Sequence, residues 1–248
     1  MALSANTLIH FTSDKASLKG ILEDNFQVFN CREEIVLGGH RSALYLPMVS
    51  FCDIPLSEVK DHITKYGSYG IGMTKEWGMG QGLNPVLYIA PNSKLSESYR
   101  FAFNSFTGVG GGGTYSWSEE QRALADVVRY IKNYEGDLTR KGNTIKNYRF
   151  SDEREWRYVP PHRTDCEMVM DASWYSDATN QAAADAKLKP LRLKFTPNDI
   201  RYIIIKDDSE IADFVAHLRV AKGTIYSYHD VERLTTRILT AEQIHGDM

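Results

Sequence analysis

The sequence predicts a mixed α+β fold in a single domain over residues 1–248, and three observations lead there. TLIHFT (7–12) has the pattern of a short strand, and Thr12, Ser13 and Asp14 at once offer cap oxygens to a helix with Leu18, Ile21 and Leu22 on one face. A second helix is signalled mid-chain, where Ser118 and Gln121 form a capping box ahead of Leu124, Val127, Val128 and Ile131, with Gly136 as its stop. Near the C-terminus LRLKF (191–195) alternates as a half-buried strand does, and IRYIIIKDD reads as a more buried one. Strands and helices occur without a regular βαβ repeat, which selects α+β over a doubly wound sheet.

The remaining elements follow from the same signals. Asp53 and Pro55 suit a helix start, with Leu56, Val59 and Ile63 as its apolar stripe. His62 and Tyr66, four apart on that helix, suggest a surface contact. YGSYGIGMTKEW predicts a strand with close backbone approach at its glycines, and Pro85 to Ile89 another. TGVGGGGTYSW (107–117) is low in complexity and predicts a flexible loop, a lid over a neighbouring cleft. LTRKGNTIKNYRF reads as a basic connector, and a last helix is expected over Ser209–Leu218.

Composition narrows the function classes. Lys+Arg 29 against Asp+Glu 32 gives no global field for nucleic acid or an anionic membrane, so any such partner needs a local patch. One candidate, for RNA, is 139–149, where Arg140, Lys141, Lys146 and Arg149 flank Tyr148, although such a charge run is usually a solvated loop. Cys31, Cys52 and Cys166 lack CxxC spacing, which fits a reducing cytosol, and no segment approaches the ~20 apolar residues of a membrane span. The expectation is a cytoplasmic protein without a membrane partner. No GK[ST] follows Gly113, no GxGxxG joins strand to helix, no HExxH predicts a metal and no GxSxG marks a hydrolase.

The most informative stretch is SDEREWRYVP (151–160). If extended from 153 it places Glu153, Glu155, Arg157 and Val159 on one face and Arg154, Trp156 and Tyr158 on the other. Adjacent carboxylates repel, and burying one unpaired is costly, so Arg157 is expected to neutralise one of them. Two accounts stand side by side: a structural ion pair on a sheet, or a carboxylate held on a rigid strand to stabilise positive charge in a substrate.

TLIHFT, SFCDIPLSEVKDHITKYGSYGIGMTKEW, EREWRYV, FTPNDIRYIII and ILTAEQI together resemble the AbiGi family of abortive-infection, phage-resistance proteins, often labelled antitoxins. More distantly, a His in the first strand, a Tyr in a middle strand and a Glu near a late strand resemble the pattern of ADP-ribosyltransferases. That resemblance implies a split sheet with flanking helices and NAD as a substrate, with no metal. Glu155 would stabilise oxocarbenium character on the ribose, supported by Glu153 or Arg157. Tyr69, or else Tyr66, would stack on the nicotinamide, and His10 would donate to the adenosine ribose. The arginine and the Ser-Thr-Ser of the arginine-modifying subgroup are missing. The resemblances imply either an NAD-consuming transferase in phage defence or a non-catalytic antitoxin-like subunit holding a protein partner from its defence operon. In the first case Glu155→Gln is expected to remove activity and to spare stability unless Arg157 depends on that charge.

Overall fold

A computed structural model describes residues 5–107, 117–140, 142–163 and 165–247. β1 (Thr7–Thr12) runs into α1 (Lys15–Asp24), and of the three cap candidates Asp14 accepts the Ser17 N–H. After β2 (Phe26–Gln27) comes a long hairpin of β3 (Phe29–Leu37) and β4 (His40–Cys52), absent from the elements predicted above. It closes at Gly38 and Gly39, both at positive φ as a two-residue turn of this kind requires. A 3-10 turn at Leu56–Glu58 precedes α2 (Lys60–Tyr66), β5 (Tyr69–Thr74) and α3 (Lys75–Gly80). β6 (Asn84–Pro85), β7 (Leu87–Ile89) and α4 (Lys94–Thr107) follow, and the expected glycine loop after them lies outside the described residues.

The predicted capping box opens α5 (Glu119–Tyr130), but the helix ends before Gly136, because the backbone turns extended at Ile131 to enter β8 (Ile131–Asn133). The basic connector is instead a hairpin, β9 (Gly136–Arg140) and β10 (Asn143–Tyr148). Its Thr139, Thr144, Ile145 and Tyr148 favour strands, and Gly142 supplies the positive φ of the turn. β11 (Glu155–Tyr158), β12 (Met170–Asp171), α6 (Ala172–Tyr175), α7 (Ala178–Leu188), β13 (Arg192–Leu193) and β14 (Ile200–Ile205) come next. α8 (Ile211–Gly223) begins and ends later than the expected last helix, and α9 (Tyr228–Thr235), β15 (Ile238–Thr240) and α10 (Ala241–Asp247) complete the chain. The α+β class stands, with helices and a mixed sheet.

Residues 1–27, 50–83 and 192–248 form one compact unit, and 28–49 with 84–191 a second. In the first, β1 pairs antiparallel with β5, β5 with β14, and β14 parallel with β15. One face of this sheet carries Ile9 and Ile204 against Val59, Ile63, Ala241 and Ile244 from the helices, all buried. Each fully buried aliphatic side chain of this kind contributes about 1.5–3 kcal/mol. A second cluster joins Phe26 to Phe51 at 5.1 Å and to Phe195 at 5.2 Å between ring centroids, with Trp77 5.6 Å from Phe51. Gly67 caps α2 at φ +121, where an added Cβ would lie 2.5 Å from the Thr12 carbonyl oxygen. Gly67→Ala is therefore expected to lower stability by about 2 kcal/mol or more, seen as a lower urea midpoint.

In the second unit β3 pairs along its whole length with His40–Met48 of β4, β12 joins the other side of β4, and β11 pairs with β6. β7 and β8 run parallel, and Ile35, Ile89, Val128 and Ile131 form a core lined by Tyr99 and Phe103 of α4. A smaller core joins Met170, Tyr175 and Ala184, where Tyr45 stacks on Tyr175 at 3.9 Å.

Candidate functional site: a buried charge cluster

The stretch 151–160 is not extended from 153 as predicted. Phe150–Glu153 forms a 3-10 turn, Arg154 takes a left-handed conformation at φ 45, and the strand starts at Glu155. From there the predicted alternation holds: Glu155 and Arg157 are buried, Trp156 and Tyr158 half-buried. The register is fixed from both sides, since the Glu155 N–H donates to the Tyr88 hydroxyl at 2.9 Å and its carbonyl accepts the Val86 N–H at 3.0 Å.

Arg157, fully buried at 0% exposure, forks onto the Glu155 carboxylate through Nε at 2.6 Å and Nη2 at 3.2 Å. The same Nη2 lies 3.0 Å from Glu33 Oε1, and Nη1 donates to the Arg129 carbonyl at 3.1 Å. Lys132 of β8 closes the cluster, its Nζ 2.8 Å from Glu155, 3.7 Å from Glu33 and 3.9 Å from Glu153. Three carboxylates thus share two cations. Glu153 joins from the turn rather than from the strand face, which is how both carboxylates are buried without facing each other along one ladder.

Burial alone would push the Glu155 carboxyl up, but the Arg157 guanidinium and Lys132 ammonium outweigh it and hold it well below the usual carboxylate range. Burial likewise disfavours the charged forms of Arg157 and Lys132, and Glu155 and Glu33 reverse that, leaving both raised. Glu155, Arg157 and Lys132 are therefore ionised at neutral pH, and none of the three is poised near 7 as a general acid or base would be. Glu33 and Lys132 also line a cleft of ≈ 480 Å³ with Arg32, Glu34, Arg41 and Asp137, so one edge of the cluster reaches solvent. Neither had been expected from the sequence. Lys132 stands between the buried Ile131 and Asn133, and Glu33 lies in the unassigned hairpin; no local signal pairs them with Glu155.

His10, Tyr66 and Tyr69 belong to the other compact unit. The His10 ring packs edge-on against Phe26 at 5.4 Å, with Nδ1 2.8 Å from the Ser50 carbonyl, and burial lowers its pKa. Tyr69 is buried beside Phe214, and its hydroxyl donates to Glu210 at 3.0 Å. Tyr66 stacks on His62, which is itself buried rather than a surface contact. Within that unit Tyr69 is held between Phe214 and Glu210, and Tyr66, half-buried, has the His62 ring against it. Of the basic segment, Lys146 pairs with Asp137 at 2.6 Å and Arg149 lies over the Tyr134 ring; Lys141 is outside the described residues. No helix among the described residues is long and apolar enough to cross a membrane.

A family profile described as "Putative abortive phage resistance protein AbiGi, antitoxin" matches residues 21–206. The curated Abortive phage resistance protein AbiGi of Lactococcus lactis subsp. cremoris is 28% identical over 225 residues, which cover 82% of this chain and 89% of that protein. No solved structure gives a significant match. With the profile matched over most of its length, the chain belongs to the AbiGi family of abortive phage resistance proteins.

Proposed function

We propose that this protein serves phage defence as a non-catalytic binding subunit, an antitoxin-like protein that holds a protein partner. The observation that carries this reading is the saturation of Glu155: its carboxylate is committed to Arg157 and Lys132 inside the protein. To stabilise an oxocarbenium ion, a carboxylate must present uncompensated negative charge where the substrate charge develops. Here two cations already take up that charge, so its effect is to fix β11 and the cleft wall.

The same cluster revises the expected outcome of Glu155→Gln. Since Arg157 does depend on that charge, the substitution is expected to lower the melting temperature as well as to change chemistry. A charge-free pair, Glu155→Leu with Arg157→Met, is the variant that separates the two effects. Purified wild-type protein incubated with NAD is expected to release no nicotinamide above a protein-free blank, and the folded double variant is expected to keep phage protection in a plaque assay. Nicotinamide release by the wild type that disappears in the folded double variant would instead establish the transferase reading.

A further inference from the structure

The edge of β3 that turns away from β4 is open along part of its length. Two observations fix which residues it presents. Val36 has both its N–H and its carbonyl bonded to the Asn133 side chain, at 2.8 and 2.9 Å, and Asn30 stands opposite Pro47, which has no N–H to exchange with β4. In an antiparallel pair the outward groups belong to every second residue, so Asn30, Arg32, Glu34 and Val36 all turn their backbone toward this edge.

Both ends of that row are occupied. Asn133 covers Val36, and the Asn30 side chain donates to Asp185 of α7 at 2.8 Å. Between them no strand pairs with β3 on this side, and no hydrogen bond among the described residues meets the outward N–H or carbonyl of Arg32 or Glu34. Asn133 shows what the edge accepts, since its amide meets Val36 as the next strand's peptide groups would, donor to carbonyl and acceptor to N–H.

The cleft of ≈ 480 Å³ opens on this stretch. Arg32, Glu33, Glu34 and Val36 line it together with the run 135–139 that leads into and forms β9, so two strand backbones border one space. Half-buried Val36, Leu138 and Phe150 supply its apolar wall. Its charge is unbalanced. Glu34 is paired with Arg32 and Arg41, Asp137 with Lys146, and Glu33 with Lys132 and Arg157, whereas Glu135 is exposed and has no cation partner among the described residues. Charged side chains guard an open edge against chance pairing, and they leave it available to a strand whose charges match.

We propose that this edge takes an extended segment of a protein partner, added as a strand on Arg32 and Glu34, with a lysine or arginine beside Glu135 and an apolar side chain against Val36, Leu138 and Phe150. The inference rests on the reading of the protein as a binding subunit and names the partner's seat. The probe is a fluorescein-labelled hexapeptide of alternating lysine and valine, compared with its glutamate–valine counterpart and with a copy N-methylated on every backbone nitrogen. By fluorescence anisotropy the lysine peptide is expected to bind about tenfold or more tightly than either control, and hydrogen exchange at the Arg32 and Glu34 amides is expected to slow as it binds. Arg32→Pro, which deletes an outward N–H and leaves the ladder to β4 intact, is expected to weaken binding about tenfold with little change in melting temperature. Glu135→Lys, at an exposed position, is expected to cancel the preference for lysine over glutamate, and it carries the test if the proline variant does not fold. The proposal is overturned if the lysine peptide does not bind, if the N-methylated copy binds as well, or if the folded variants bind as wild type does. It is also overturned if light scattering shows a dimer that Arg32→Pro dissolves, which would seat a second copy of this chain on the edge. Any of these failures leaves the binding-subunit reading to the nicotinamide and plaque assays, which do not involve this edge.

Discussion

Arg157→Met is expected to destabilise the protein by about 3–5 kcal/mol, the usual penalty for removing one partner of a buried ion pair. The guanidinium is 0% exposed and makes three of the cluster's close contacts, two to Glu155 and one to Glu33, so its loss leaves three carboxylates facing Lys132 alone. Methionine keeps much of the volume, which confines the effect to charge. Glu155→Leu combined with Arg157→Met is expected to recover most of the loss, because an apolar pair of similar size often matches a buried ion pair in stability. Urea denaturation of both single variants and the double at pH 7 yields the coupling; a single-variant change below about 1 kcal/mol would remove the cluster from any account of stability. The pH dependence has a definite sign. Because the Glu155 carboxyl is held low in the folded state, its contribution is complete above the ordinary carboxylate pKa, about 4.3, and is lost only as pH falls below it.

Acid is expected to weaken the protein well before that point, through His62. Its residue is 6% exposed, its ring stacks on Tyr66 at 5.6 Å and lies 6.1 Å from Phe11, and neither nitrogen has a hydrogen-bond partner among the described residues. Burial, reinforced by the Lys65 charge, lowers its pKa to about 4. The unfolded chain takes up the proton from about pH 6.5 downward while the folded chain does not, so stability falls as pH drops from 6.5 to about 4, by roughly 3 kcal/mol in total. His10, lowered in the same direction, adds to the slope. His62→Phe keeps the ring contacts and removes the titration, so its stability at pH 7 should equal or exceed wild type and its acid slope should be shallower. Equal slopes for the two proteins would show that His62 is not the group responsible.

Elements with a local signature were legible in the sequence. The Asp14 cap, the Ser118 capping box and the apolar run of β14 each follow from a few adjacent residues, and each stands where its pattern points. The β3–β4 hairpin had a signal too, Gly38-Gly39 between two runs rich in strand formers, a stronger cue than the basic residues that made 139–149 look like a connector. The candidate site was legible only in its local half. Alternation alone pairs Glu155 with Arg157; that Lys132 and Glu33 complete the cluster depends on how β8 and β3 are brought beside β11, and no spacing along the chain records that. The turn at Phe150–Glu153 escaped for a related reason, since the same residues read equally well as extended until Arg154 breaks the strand.

The first unit is assembled from three separated stretches, with Ile9 and Ile63 covered by Ile204, Ala241 and Ile244. On the ribosome this ordering sets a timetable. The stretches that make up the second unit are all synthesised by Leu191, whereas β1, β5 and α2 wait, with their apolar faces open, for the last quarter of the chain. Such distant pairings form slowly and leave nascent chains prone to aggregation and proteolysis. A premature stop after Leu191 therefore yields a product in which one unit has all its residues and the other has lost its cover, and a cell should clear it rather than accumulate a half-working protein.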